Sequence, residues 1–145
     1  MKILSNILFF SLLVINSCTF NPFIQDNLSN DDKIFAKKFI NVLLKDDVTE
    51  AKSFFSEELQ NTNTDWLPEI LERMNQERVK NIKLVYQKIQ STDNPYRATM
   101  LYELEYSNYW LLDEVTIDKI SGNYFISGLY NYPSNSSFEN LTSFK

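Results

Sequence analysis

A chain of 145 residues with a formal charge of −5, no histidine and one cysteine can form one domain with a real core, and is too short for two. The acidic balance speaks against nucleic acid, whose phosphates need a basic surface. The missing histidine removes His-dependent triads and the usual zinc sites, a lone cysteine forms no intrachain disulfide, and two glycines make no phosphate-cradling loop, so neither a metal nor a cofactor is expected.

Residues 1–17 carry one charge, Lys2, followed by Ile3-Leu4 and the apolar run Ile7–Ile15. That is too short for a comfortable membrane span and has the layout of a secretory signal, with a basic start, an apolar centre and a small residue before a cut. Ile15-Asn16-Ser17-Cys18 resembles the bacterial lipoprotein processing box, in which an aliphatic residue stands three before the cysteine and a small one just before it. The resemblance implies cleavage before Cys18, a lipid on its sulfur, and a protein held to a membrane of the cell envelope. Thr19, rather than Asp, follows the cysteine, which in the enterobacterial sorting pattern points to the outer membrane. An ordinary cleaved signal leaving a free thiol, or an uncleaved apolar anchor, is the alternative. Residues 18–30, rich in Asn, Ser and Pro, read as a tether.

The domain proper is expected over 31–132. Ser29 or Asn30 can cap a helix through about Lys45, with Asp31 and Asp32 in its first turn and Phe35, Ala36, Phe39, Ile40 and Leu43 as its apolar stripe. Asp46-Asp47 breaks it, and Val48, Ala51, Phe54, Phe55 and Leu59 predict one second helix. Asp65 can cap a third, with Pro68 in its first turn and Trp66, Leu67, Ile70, Leu71 and Met74 along one side. Glu69 and Arg73 stand four apart as an exposed pair.

From Asn81 the period changes to two. Ile82, Leu84 and Tyr86 open a strand that ends at the turn Ser91–Pro95. Tyr96, Ala98, Met100, Tyr102, Leu104 and Tyr106 alternate with polar residues in a second. Tyr109, Leu111, Val115 and Ile117 mark one face of a third, although Trp110 and Leu112 blur the other. Ser121-Gly122 offers a tight hairpin turn into a fourth strand, in which Gly128 suggests a bulge. The Ser/Asn-rich residues 133–145 read as a disordered or loosely docked tail.

Three N-terminal helices followed by four antiparallel strands predict an α+β fold, with the helices packed on one face of a curved sheet. This order resembles the nuclear-transport-factor-2-like superfamily of cystatin-like α+β cones. The likeness is carried by Ala36 to Leu43 leading into Asp46-Asp47, by Trp66, by Glu114–Ile117 and by Gly122–Tyr130, and within the superfamily it is strongest to small secreted bacterial domains of unknown function. Tyr124 stands where such domains often carry tryptophan. The resemblance implies a way of folding rather than an activity. Its relatives commonly pair through open sheet faces, which makes a homodimer an option.

Asp113 falls among Tyr109, Leu111, Val115 and Ile117, where a carboxylate would be desolvated, raised in pKa and able to act as a general base. A bulge would instead turn Glu114 inward. Both residues more commonly belong to structural networks. Tyr102, Tyr106, Tyr109 and Tyr130 are candidates to line a ligand pocket, against the plainer role of sheet core. The pairs Asp31-Asp32, Asp46-Asp47 and Glu57-Glu58 fit helix capping better than metal binding. Three functions stay open: a membrane-anchored, non-catalytic binding or accessory module with a protein partner in the envelope, an envelope immunity or inhibitor protein, and a cone-fold isomerase or dehydratase using Asp113 or Glu114. The balance lies with binding.

Overall fold

The computed structural model describes residues 26–62 and 64–143, so Cys18, the expected signal segment and most of the expected tether lie outside the described residues. Helices α1 (Asn30–Leu43), α2 (Val48–Ser53), α3 (Glu57–Asn61) and α4 (Trp66–Met74) precede strands β1 (Asn81–Ser91), β2 (Tyr96–Glu105), β3 (Trp110–Ile120) and β4 (Asn123–Ser134), and α5 (Phe138–Thr142) follows. The strands form one antiparallel sheet in the order β1-β2-β3-β4, an α+β meander with β1 and β4 at its edges.

Helix α1 begins where two side chains and two backbone amides satisfy each other. The Ser29 hydroxyl accepts from the Asp32 amide at 3.2 Å, and the Asp32 carboxylate accepts from the Ser29 amide at 3.1 Å. The same carboxylate accepts hydrogen bonds from the Tyr96 and Tyr124 hydroxyls, both at 2.9 Å, so one residue caps the helix and pins it to the starts of β2 and β4. The Lys119 ammonium lies 4.8 Å above the Tyr124 ring, and Phe35 stacks on the same ring at 5.2 Å.

The single helix expected over Val48–Leu59 is corrected to two, so that four helices rather than three precede the sheet. Phe54, Phe55 and Ser56 leave the helical path to lie alongside β4. The Ser56 amide donates to the Ile126 carbonyl at 2.9 Å, and the Ile126 amide donates to the Phe54 carbonyl at 2.7 Å. Ser56 then caps α3, its hydroxyl accepting from the Leu59 amide at 3.2 Å. Burial of Phe55 suits either arrangement, which is why apolar spacing alone merged the two helices. Asp65 occupies the N-cap position of α4, yet its side chain makes no capping hydrogen bond.

Ser121 and Gly122 both have positive φ, 52° and 84°, the two-residue turn that matches strand twist. In β4 the register skips one residue between Ile126 and Gly128 opposite Ile117 and Thr116. A Cβ on Gly128 would stand 3.3 Å from the Thr116 Cβ, so close approach of the strands explains the glycine. Beyond Tyr132 the strand continues to Ser134, and the tail folds back as α5. There the Phe138 amide donates to the Glu103 carboxylate and Glu139 pairs with Lys83. These contacts carry the tail across the sheet face turned away from α1.

The core joins Ala36, Phe39, Ile40 and Leu43 of α1 and Leu67, Leu71 and Met74 of α4 to Ala98, Met100, Leu104, Leu111, Val115 and Ile117 of the sheet. Trp66, expected along the apolar side of its helix, is half-buried at the margin of this core. Its indole stacks on Phe55 at 6.0 Å while part of the side chain remains accessible. Phe39→Ala should therefore lower stability by about 3–5 kcal/mol and Trp66→Ala by clearly less. Urea unfolding followed by circular dichroism checks this, and a loss below about 1 kcal/mol at Phe39 would contradict the packing.

Candidate functional site

The bulge at Gly128 and the helix start at Trp66 open a cleft of about 400 Å³ between α4 and the free side of β4. Leu59, Trp66, Ile70, Leu129 and Tyr130 give it an apolar lining, and Glu69, Arg73 and Asn131 supply polar groups. A groove of about 380 Å³ adjoins it on the outer face of the sheet and shares Leu59, Ser127, Gly128 and Tyr130. Glu58, Gln90, Arg97, Glu114 and Thr116 line that groove. Arg97 is held there by Asp118 through two hydrogen bonds of 2.7 Å.

Polar groups run from the cleft into the protein in a connected line. The Arg73 guanidinium reaches Glu69 at 3.1 Å on the solvent side and donates to the Asn131 side-chain oxygen at 2.9 Å on the other. The Asn131 amide nitrogen donates in turn to Asp113 Oδ1. This orientation is the one both neighbours require, since arginine only donates and a carboxylate accepts. Asp113 is 0% exposed, and its Oδ2 has no hydrogen-bond partner among the described residues.

Burial pushes the Asp113 carboxyl up from 3.8 to about 7, against the opposing pull of the Asn131 hydrogen bond and of the Arg73 charge. Asp113 does not line the cleft, because Asn131 stands between the two. Glu114 points to the opposite face, half-buried in the outer groove, where desolvation raises its pKa.

The four tyrosines singled out from the sequence separate. Tyr102 is buried, with a hydroxyl pushed up to about 12 by desolvation. Tyr106 is buried and donates to the Met74 carbonyl at 2.6 Å, while Tyr109 stacks on its ring at 4.6 Å. Of the four, Tyr130 lines the cleft. Among the acidic pairs, Asp32 and Asp47 are helix caps, and Glu57 and Glu58 lie in the first turn of α3.

Arg73 and Asn131 were not singled out from the sequence. Arg73 reads there as half of an exposed helical pair, and Asn131 as one polar residue near a strand end. A signal did exist in the alternation Leu129, Asn131, Pro133, which places a polar residue in the inward register. It gains meaning once the pairing of Asn131 with Asp113 across β3 and β4 is known. No family model and no curated protein matches the chain.

The buried carboxyl makes stability depend on pH. Its folded value of about 7 lies above its unfolded value of 3.8, so between these the native state binds the extra proton. Its contribution is therefore favourable at low pH and is lost as pH rises through that window, by up to about 1.4 kcal/mol per pH unit. Asp113→Asn should flatten this decline and raise Tm relative to the parent at pH 8. Thermal melts from pH 4 to pH 8 test this, and an unchanged slope in the variant would show that Asp113 does not carry it.

Proposed function

We propose that this protein is a membrane-anchored, non-catalytic binding module of the cell envelope, with the α4–β4 cleft as its ligand site. The observation that carries the binding reading is the contrast between the cleft and the carboxylate behind it. The cleft offers an apolar lining and a few polar groups suited to orienting a ligand. Asp113, the residue best tuned for acid-base chemistry, is sealed behind Asn131, and a general base has to come within hydrogen-bond reach of the proton it takes. Asp113 accordingly serves as a positioning residue that holds Asn131, and through it Arg73, at the cleft wall.

The anchor reading rests on the signal-like residues 1–17 and on Ile15-Asn16-Ser17-Cys18. The nuclear-transport-factor-2-like cone is the finer fold assignment we favour, supported by helices preceding an antiparallel four-stranded meander. A cone-fold isomerase or dehydratase is the second reading, favoured by a carboxyl raised to about 7 with one oxygen lacking a partner among the described residues.

Two experiments test these readings. Cys18→Ser should move the protein from the membrane to the soluble fraction or leave it unprocessed. A parent protein that fractionates as soluble and whose mass shows no acyl chain would refute the anchor. Deleting the native gene should produce an envelope defect, read as altered detergent sensitivity, that Asp113→Asn repairs and that Arg73→Ala, folded by circular dichroism, does not. Turnover of an identified small molecule by the parent and its loss in Asp113→Asn would transfer the protein to the enzyme class.

A further inference from the structure

We infer that the cleft takes an extended peptide, added as a fifth strand to the free edge of β4, with side chains that alternate between apolar and basic. This rests on the reading of the α4–β4 cleft as the ligand site and names the class of ligand.

The argument begins with which way the backbone of β4 points. In an antiparallel ladder each residue directs both its amide and its carbonyl to one side, and successive residues alternate. The Tyr106 amide donates to the Tyr109 carbonyl at 3.0 Å, so the alternation inward from that pair turns Leu111, Asp113 and Val115 toward β2. Their partners in β4, which are Pro133, Asn131 and Leu129, therefore direct their backbone groups away from β3. Two observations agree. Ile126, opposite the inward-registered Ile117, bonds outward to Phe54 and Ser56, and the position at 133 is filled by the one residue with no amide to leave unmatched.

The outer edge of β4 thus has three stations. At Ile126 the chain's own segment 54–56 already lies against it as a parallel rung. At Leu129 and Asn131 the outward groups have no backbone partner among the described residues. At Pro133 the donor row stops. The open stations lie in the cleft, whose lining includes the unbroken run from Ser127 to Asn131. An exposed strand edge is a template for another strand, and peptides use such edges for main-chain hydrogen bonds while pockets beside them select side chains.

The two hollows that meet across Gly128 set the side-chain preference. A strand added here projects alternate side chains to opposite faces. One set enters the cleft against Leu59, Trp66 and Ile70, and the other faces the outer groove, where Glu58 and Glu114 lie and where Arg97 is held by Asp118. Apolar side chains match the first, and lysine or arginine the second. The net charge of −5 favours the same choice at longer range.

The test uses the full chain in detergent and a capped heptapeptide alternating Val and Lys, compared with its Val/Glu counterpart and with versions N-methylated at alternate amides in each of the two registers. In the free protein the Leu129 and Asn131 amides should exchange quickly with solvent while Tyr130 is protected. The Val/Lys peptide should bind at least about tenfold tighter than the Val/Glu one. It should slow exchange at Leu129 and Asn131, and it should lose binding in one methylation register only. Slow exchange at both amides in the free protein would overturn the inference, as would binding that leaves them unprotected or tolerates both methylations. Should anilinonaphthalene sulfonate quench the tryptophan fluorescence of a Trp110→Phe variant, in which Trp66 alone reports, while no peptide binds, the cleft remains a ligand site and strand addition falls. If neither binds, the ligand-site reading falls with it.

Discussion

Ile126 is where the helical layer and the sheet are joined through main chain. Its amide and carbonyl both leave the sheet to meet Phe54 and Ser56, two bonds within a largely buried environment that remains unsatisfied without them. To make that rung the chain has to leave the helical path, which ends α2, starts α3 from Ser56 and sets Phe55 against Phe39 and Trp66. The rung covers one station of the β4 edge and stops. The bulge that follows moves the strand on by one residue, and the cleft opens there, beside helix α4.

The second constraint is the carboxylate placed where a strand of this parity would normally carry an aliphatic residue. A desolvated carboxyl with a single strong donor gives up stability as pH rises from its unfolded value of 3.8 to its raised value of about 7, so its presence calls for a compensating role. Asn131 suggests one. A side-chain amide held from behind by Asp113 and from in front by Arg73 has one orientation available, and Arg73 is thereby held along the cleft instead of moving freely in solvent. Asp32 solves the same problem differently. Buried to a similar degree, it receives two tyrosine hydroxyls and a backbone amide, and its satisfied oxygens tie α1 to β2 and β4.

Local regularities were legible in the sequence because they rest on neighbours a few residues apart. The cap at Ser29, the stripe from Ala36 to Leu43, the alternation from Tyr96 to Tyr106, the turn at Ser121-Gly122 and the bulge at Gly128 all stand where spacing and backbone preference put them. The inward register of Asp113 was legible too, because alternation survives the interruptions at Trp110 and Leu112. From these followed the α+β class and a four-stranded antiparallel meander.

Tertiary structure alone decided what those elements do to each other. That α2 and α3 are separate depends on Ile126, some seventy residues further on by the register. That Tyr102 and Tyr106 belong to the core while Tyr130 reaches the cleft depends on which face of each strand the helices cover. The line from Glu69 through Arg73 and Asn131 to Asp113 joins a helix to two strands, and no local pattern encodes it. Periodicity tells which side chains share a face. It does not tell which face meets which, because pairing across a long loop is set by the packing and the hydrogen bonds of the assembled core rather than by any preference of the segments alone.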